Sequence, residues 1–170
     1  MIQNNLRQAT LCFLVKEDQD KIIELLLAMK KRGFGAGRWN GVGGKFDDER
    51  DRDISATARR ETKEEINVDI VDLRKVAILN FYFPDIPKEK NYDQQVHVFT
   101  SKEWQSEPQE SEEMAPKWFK VEDIPYRFMW ADDEFWLPHV LGGKKVLADF
   151  IFQGEGEQLR ERDVKIVHEL

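Results

Sequence analysis

The chain has 170 residues, of which 41% are hydrophobic and 35% charged, and its formal net charge at pH 7 is −7. This length and composition allow one domain with a substantial core, so we expect a single domain over residues 1–170. The acidic balance argues against broad binding to the nucleic-acid backbone, which requires a basic face. It does not exclude a nucleotide that is held through a divalent cation.

Cysteine content and apolar runs bear on the location of the protein. Cys12 is the one cysteine, so no internal disulfide can form, and its apolar neighbours predict a buried thiol in a reducing compartment. The apolar run over 9–15 is too short to span a membrane, and its flank lacks the charged region and cleavage site of a signal peptide. We therefore expect a cytoplasmic protein with no membrane partner.

The amino-terminal part predicts two strands. Residues 9–15 read as a buried strand, and residues 16–20 as a polar turn. Periodicity alone allows either a helix or a strand over 21–30. The turn before this segment and the glycines after it favour a strand paired with the first.

A glycine-rich loop follows at 31–44, with six of the chain's ten glycines. It also contains Phe34, Trp39 and Asn40, which a simple linker does not need. The loop matches neither the dinucleotide-binding fingerprint nor a P-loop.

The rest of the chain predicts one central helix, further strands and a late helical region. The predicted helices cover 53–66 and 122–147, the second with interruptions at Pro125 and Pro138. Strands are predicted at 74–83, 94–101, 117–121, 148–153 and 164–168, and polar loops at 84–93 and 103–115. A lone histidine between two valines, His97, is predicted to be structural. Strands on both sides of one helix, followed by a late helix, predict a mixed α+β sandwich.

Three glutamates share one face of the central helix. Glu61, Glu64 and Glu65 are neighbours because residues three and four apart on a helix lie side by side. Like charges at this spacing repel by roughly 0.2–0.5 kcal/mol per pair. A hard cation such as Mg²⁺ would relieve this repulsion, since it takes oxygen ligands and keeps waters and substrate phosphates. A solvated acidic face is the alternative, and the cluster alone does not decide between them.

The order of glycine, loop and Arg-Glu-x-x-Glu-Glu resembles the Nudix box, G-x5-E-x7-R-E-U-x-E-E-x-G-U, in which U is aliphatic. Gly44 matches the first glycine, and the second half of the box is matched by Arg60, Glu61, Glu64, Glu65 and Val68. Thr62 stands in place of an aliphatic residue and Asn67 in place of the late glycine. Asparagine tolerates the left-handed conformation of a helix end, so the second change is benign.

The first half of the box departs further from the pattern. The loop before Arg60 is two residues longer, and Arg52 falls where the family has its first glutamate. In the family this glutamate braces the box arginine. Asp51 or Asp53 could take that role after a loop shift, but Asp53 also fits the N-cap of the helix. The sequence leaves both assignments open.

The resemblance extends beyond the box to a subfamily. MKKRGFGAGRWNGVGGK at 29–45, VHVF at 96–99 and MWADDEFWLP at 129–138 resemble the MutT homologues, which sanitise the pool of oxidised purine nucleoside triphosphates. Extra residues occur near 16–24, 48–53 and 84–92. The resemblance implies the Nudix α/β/α sandwich with a central mixed β-sheet.

The resemblance also implies a metal site. Mg²⁺, for which Mn²⁺ can substitute, is expected between the triphosphate and a set of ligands formed by the Gly44 carbonyl, Glu61, Glu64 and Glu65. Glu113 is either a further ligand or a solvated loop charge. Arg60 is expected to orient the carboxylates, and one of the three box glutamates is expected to act as the base, without a choice among them.

A purine pocket is the most specific implication of the resemblance. The residues implied to contact the purine or to surround it are Asn40, Trp130, Asp132, Asp133, Phe34, Phe81, Met114, Thr10 and Lys30. An indole face suits stacking on a purine. Adjacent aspartates near an apolar pocket can have their pKa values pushed apart, so that one donates and the other accepts a hydrogen bond. A turn or helix-cap role for the two aspartates is the alternative.

The expected reaction is hydrolysis of an oxidised purine nucleoside triphosphate, such as 8-oxo-dGTP or 2-hydroxy-dATP, between its α and β phosphates. Monophosphate and pyrophosphate are the expected products. Two alternatives stay open at the level of sequence: a Nudix hydrolase of another nucleoside diphosphate derivative, and a catalytically weak nucleotide-binding protein. The expected partner is a small nucleotide rather than nucleic acid, and we expect a monomer.

Overall fold

The computed structural model describes residues 6–170, so the first five residues of the predicted domain lie outside the described part. The amino-terminal elements are β1 (Arg7–Asp18), β2 (Lys21–Lys30), β3 (Trp39–Asn40), α1 (Ile54–Ile66), β4 (Asp69–Ile70), β5 (Arg74–Tyr82) and β6 (Gln94–Ser101). The remaining elements are β7 (Trp104–Gln105), β8 (Met114–Lys120), α2 (Asp133–Leu141), β9 (Lys145–Gln153) and β10 (Gln158–Val167). None of the helices that the structure describes is both long and apolar enough to cross a bilayer.

A mixed sheet of eight strands forms the middle layer. Its order is β10-β9-β5-β6-β1-β2-β3, and β8 pairs with β2. The β1–β6 and β5–β9 pairs are parallel, and the other pairs are antiparallel. Side chains of α1 pack on one face of the sheet and those of α2 on the other. The predicted α/β/α sandwich with a central mixed sheet is therefore confirmed.

The central strands are apolar throughout because both of their faces are covered. In β1, Phe13 and Val15 pack in the α2-side cluster, whereas Cys12 and Leu14 pack in the α1-side cluster. The run Leu25–Leu27 of β2 alternates between the two clusters in the same way. A strand buried on both sides shows no polar alternation, which is why periodicity left 21–30 ambiguous. The predictions of strands there and at 9–15, and of a buried thiol, are confirmed.

Helix α1 begins and ends with the local signals expected from its sequence. The Asp53 carboxylate accepts the Ala56 N–H at 2.8 Å, as an N-cap. Asn67 adopts the left-handed conformation, with φ of 59°, and its N–H donates to the Lys63 carbonyl. The buried Thr62 hydroxyl donates at 2.7 Å to the carbonyl four residues earlier. This bond satisfies the hydroxyl, so threonine can replace the aliphatic residue of the box.

The predicted helical segment over 122–147 is wrong at both ends. Two short 3₁₀ turns, Val121–Asp123 and Tyr126–Phe128, flank Pro125, and α2 covers only nine residues before β9 begins at Lys145. Proline lacks an N–H and disfavours the helical conformation in the preceding residue, so the chain before α2 forms short turns.

The carboxyl-terminal strands are longer than predicted. Strand β9 alternates buried and exposed side chains from Lys145 onward and pairs with β10 over Gln158–Val167, rather than 148–153 with 164–168. The predicted loop at 103–115 also contains a strand, β7, which pairs with β4. These two-residue strands are too short to produce a periodic sequence pattern.

Candidate active site

A cavity of about 440 Å³ lies mainly on the side of the sheet that α2 covers, and the glycine-rich loop lines part of it. It brings together all nine residues that the sequence predicted around the purine: Thr10, Lys30, Phe34, Asn40, Phe81, Met114, Trp130, Asp132 and Asp133. Three predicted metal ligands also line it: Gly44, Glu65 and Glu113. Arg60, Glu61 and Glu64 are not among the described residues that line it. Base pocket and box helix thus form one continuous site.

The two aspartates at the start of α2 are almost completely buried, with 2% exposure for Asp132 and 3% for Asp133. The Trp136 indole N–H donates to Asp132 Oδ2 at 2.8 Å. Within residues 6–170, Asp133 Oδ2 is buried and has no hydrogen-bond partner. No side-chain bond from Asp132 caps α2 in the described chain, so the helix-cap alternative lacks support.

Burial separates the protonation states of this aspartate pair. Desolvation raises the pKa of Asp132 to about 6, while desolvation and the neighbouring charge raise the pKa of Asp133 well above its usual value. Burial therefore favours a protonated carboxyl more strongly at Asp133 than at Asp132, so that the pair can offer one donor and one acceptor.

Aromatic side chains build the walls of the cavity. The Trp130 ring lies 5.2 Å from the Phe34 ring, centroid to centroid, and the Arg38 guanidinium lies 4.0 Å above the indole. The Phe81 ring, which also lines the cavity, stacks on Phe150 at 5.6 Å. These contacts hold a flat apolar slot next to the aspartates, which suits an aromatic heterocycle.

The box helix meets the glycine turn at the far end of the cavity. The Glu65 carboxylate accepts the Gly43 N–H at 3.3 Å. A side chain at Gly43 would collide with the Thr10 carbonyl, and one at Gly44 would collide with the Glu61 carboxylate. Glycine is therefore required at Gly43, where the clash is with backbone, whereas a side chain at Gly44 would displace the Glu61 carboxylate from the turn.

The electrostatics of Glu61 and Glu65 fit a cation. Burial, followed by repulsion from Glu61 and Glu113, raises the pKa of Glu65 to about 8. Burial also raises the pKa of Glu61, although Arg60 opposes this shift. The protein alone does not offset the cost of ionising two carboxylates that are close together and partly removed from water. A divalent cation would stabilise their ionised forms.

Glu64 and Glu113 have arginine partners. Glu64 bonds to Arg50 at 2.5 Å and to Arg60 at 3.3 Å, and Glu113 bonds to Arg32 at 3.3 Å. In the described part of the chain, no three Asp, Glu, His or Cys side chains converge closely enough to hold a metal. For both glutamates to join a cation at Glu61 and Glu65, their side chains must rotate away from these arginines.

Arg60 is held by an aspartate that precedes the helix. Its Nε and Nη2 atoms donate to Asp51 at 2.7 and 2.8 Å, and its Nη1 donates to Glu61 at 2.9 Å. Asp51 also accepts the Thr57 hydroxyl at 2.9 Å, and its side chain is 1% exposed. Asp51 therefore braces the box arginine, and Asp53 caps α1. Arg52 points outward with 90% exposure, so its charge does not enter the site.

Several residues that line the cavity were not predicted from the sequence: Arg7, Arg38, Lys45, Tyr92, Gln94 and Trp136. Tyr92 and Gln94 follow a charged loop, and only the parallel pairing of β1 with β6 sets Gln94 beside Arg7. A sequence pattern carries no signal for such a long-range pair. His97 stays outside the site, and its Nε2 atom lies 2.6 Å from the Gln8 side-chain oxygen, in agreement with its predicted structural role.

Comparison with known proteins agrees with this geometry. Residues 5–140 match the NUDIX domain. The chain is 42% identical over 146 residues to the oxidized purine nucleoside triphosphate hydrolase of Danio rerio, covering 86% of this chain and 85% of that protein. It is also 42% identical over 131 residues to the mouse (Mus musculus) protein of the same name, covering 77% and 80%.

A solved structure, the MutT protein from Bacillus halodurans, has a TM-score of 0.76 and 23% identity, covering 94% of this chain and 97% of its own. At this identity, the likeness supports the fold. The resemblance inferred from the box and its flanking segments is thus confirmed, and the chain belongs to the Nudix family.

Proposed function

We propose that the protein hydrolyses oxidised purine nucleoside triphosphates between the α and β phosphates, releasing a monophosphate and pyrophosphate. The observation that carries this proposal is the buried Asp132–Asp133 pair, which has an unpartnered oxygen at the end of an aromatic slot. The same cavity continues to Glu65 and the glycine turn. Two relatives that are 42% identical to this chain are named for the hydrolysis of oxidized purine nucleoside triphosphates.

The base would be recognised by charge state and shape together. Protonated Asp133 would donate to one acceptor on the purine, and ionised Asp132 would accept from one N–H, with Trp130 stacking on the ring. Asn40, whose side-chain oxygen accepts the Gly41 N–H at 2.9 Å, keeps its amide N–H groups for the base. Such a pocket admits oxidised guanine and oxidised adenine.

The glutamates would hold a divalent cation, and Nudix hydrolases generally use one. We propose Mg²⁺, with Mn²⁺ as a substitute, held by Glu61, Glu64, Glu65, the Gly44 carbonyl and Glu113. When bound, such an ion lowers the pKa of a water and stabilises charge on the phosphates. Within the protein, Arg60 positions Glu61 through the bond at 2.9 Å. A box glutamate that stays ionised would take the proton of the attacking water.

The direct test is product analysis with 8-oxo-dGTP, dGTP and an unrelated nucleoside diphosphate derivative, each with Mg²⁺ and with chelator. We expect metal-dependent release of pyrophosphate and monophosphate, fastest with the oxidised purine. Turnover of the diphosphate derivative alone would favour another Nudix substrate. Tight binding of 8-oxo-dGMP with no turnover would instead indicate a nucleotide-binding protein.

Replacing Asp132 by asparagine should change base preference more than maximal rate. The change removes the ionised acceptor of the pair but leaves the box helix untouched. The measurement is kcat/KM for 8-oxo-dGTP, 2-hydroxy-dATP and dGTP. We expect the ratios of kcat/KM between substrates to shift by about tenfold or more, because the free energy of one hydrogen bond to a buried charged group corresponds to at least that factor. Asp149→Asn, on strand β9, is a matched control because its carboxylate accepts a bond from Asn80 and lies outside the cavity. An equal effect on all substrates would contradict the pocket assignment.

Three broader properties belong to the same proposal. We propose that residues 1–170 act as one Nudix domain, that the protein works as a monomer, and that it works in the cytoplasm on free nucleotides. The buried thiol of Cys12, free of any disulfide in the described chain, supports a reducing compartment.

A further inference from the structure

One end of the cavity contains charged and polar groups that neither the base contacts nor the glutamates use. Arg7, Tyr92 and Gln94 line this end. Arg7 on β1 is the register partner of Gln94 on β6. Tyr92 packs edge-on against Phe34 at 5.6 Å and against Phe83 at 5.9 Å, between ring centroids. Arg7 and Gln94 are therefore neighbours on paired strands, and the two ring contacts hold Tyr92 in place.

One hydrogen-bond donor of Arg7 lacks an acceptor within the part of the chain that the structure describes. Its Nε atom is buried and has no hydrogen-bond partner among residues 6–170. In the same range, no carboxylate comes within ion-pair distance of its guanidinium, whereas Arg60, Arg74 and Arg160 all have such partners. Buried polar groups are nearly always satisfied, so an unpartnered one inside a cavity requires an explanation. Arginine only donates hydrogen bonds, so the missing partner is an acceptor.

The position of Arg7 along β1 shows which part of a ligand it can reach. Thr10, three residues later, donates its N–H to the Gly44 carbonyl at 2.8 Å. At about 3.3 Å per residue, the Arg7 backbone is about 10 Å from this turn. Ala9, between them, forms a β-bridge with Lys45, the residue after Gly44. Asp132 bonds to Trp136, whose ring packs on Phe13, six residues further along β1 than Arg7. Arg7 therefore lies next to the segment that follows the glycine turn, at the end of the cavity away from the aspartates.

We propose that Arg7 binds an acceptor oxygen in the sugar–phosphate part of the nucleotide and thereby contributes to substrate affinity. This inference rests on the proposed function. The acceptor is a sugar hydroxyl or a phosphate oxygen; both suit a guanidinium, and phosphate suits it best because the planar fork can donate two bonds to it. Tyr92 and Gln94 hold the wall in place around that contact.

The test uses Arg7→Gln and Arg7→Lys, with Arg74→Gln as the control. Arg74 is also an arginine on a central strand, but it pairs with Glu17 outside the cavity. Binding of 8-oxoguanine, its deoxynucleoside and its monophosphate is measured by calorimetry, and KM and kcat are measured for the triphosphate. We expect Arg7→Gln to weaken monophosphate binding and to raise KM by about 10- to 100-fold, with kcat changed much less. The control should match the wild type.

The ligand series identifies the acceptor. A loss that appears with the deoxynucleoside indicates a sugar hydroxyl, and a loss that appears only after phosphorylation indicates phosphate. An equal loss with the free base, or no loss with any ligand, would overturn the inference. Thermal unfolding of each variant checks its fold. Arg7→Lys keeps the charge but lacks the guanidinium Nε. If Arg7→Gln does not fold, the same ligand series with Arg7→Lys tests the inference. Failure of the wild type to bind or cleave any of these nucleotides would overturn the proposed function instead.

Discussion

Replacing Glu65 by glutamine is expected to lower turnover of the oxidised purine nucleotide by about 10²- to 10⁴-fold, the usual contribution of a group that handles the reacting proton or its metal. Glu65 is the box carboxylate that lines the cavity and contacts the glycine turn. Glutamine keeps its shape and can still accept the Gly43 N–H, so the fold should persist. The measurement is kcat under saturating Mg²⁺. Glu112→Gln, in the exposed acidic loop, is the matched control.

The same substitution should change how the stability of the metal-free protein depends on pH. The pKa of Glu65 is raised from 4.5 to about 8, mainly by burial. The Glu65 carboxyl therefore binds its proton more tightly in the folded state than in the unfolded state. The protonated group stabilises the fold fully below pH 4.5, and this stabilisation is lost as pH rises through about 8. Thermal unfolding at pH 9 should find Glu65→Gln at least as stable as the wild type.

If Glu65→Gln hydrolysed the nucleotide as fast as the wild type does, the metal assignment would be refuted.

Replacing Asp51 by alanine should cause the largest loss of stability, about 3–5 kcal/mol, because it removes the buried acceptor of two hydrogen bonds from Arg60, each worth about 1.5–3 kcal/mol. Arg60, with a side chain only 16% exposed, would lose two hydrogen bonds. Turnover should fall as well, since Arg60 positions Glu61. Urea unfolding measures the first effect and kcat the second.

Two neighbouring positions are matched controls for this experiment. Asp53→Ala removes only the cap of α1 and should cost about 1 kcal/mol. Arg52→Glu restores the residue type of the family pattern, but it lies on the exposed side of the loop and should change neither stability nor turnover. If Arg52→Glu raised turnover, or if Asp51→Ala and Asp53→Ala were equally mild, Asp51 would not be the brace.

The Asp51 pair also predicts sensitivity to acid. Hydrogen bonds from Arg60 hold the pKa of Asp51 well below its usual range, despite the opposing effect of burial. A carboxylate whose pKa is lowered by folding stabilises the fold at pH values above its pKa in the unfolded state. This contribution is lost as pH falls through its pKa in the folded state. The wild type should therefore lose stability below about pH 4, and Asp51→Asn should lack this part of the dependence.

Local patterns were sufficient for much of the architecture. The central helix, its N-cap at Asp53 and the strands over 9–15 and 94–101 follow from side chains close together in the chain. The family follows from the spacing of Arg60 and the glutamates together with the flanking segments. In contrast, the two-residue strands and the extent of β9 depend on pairing partners, which no local pattern encodes.

The sequence alone determined the ingredients of the site: a glycine turn, an acidic helix and a Trp-x-Asp-Asp segment predicted to serve one nucleotide. Which aspartate braces Arg60 was decided only by the tertiary structure, because the longer loop turns back so that the Asp51 N–H donates to the Asp47 carbonyl at 2.7 Å. The same is true of the raised pKa of Asp133 and of the Arg7 Nε atom, which has no partner among residues 6–170, because burial and long-range pairing of strands create both. Residue types specify which chemistry is available, whereas desolvation and register specify which group performs it.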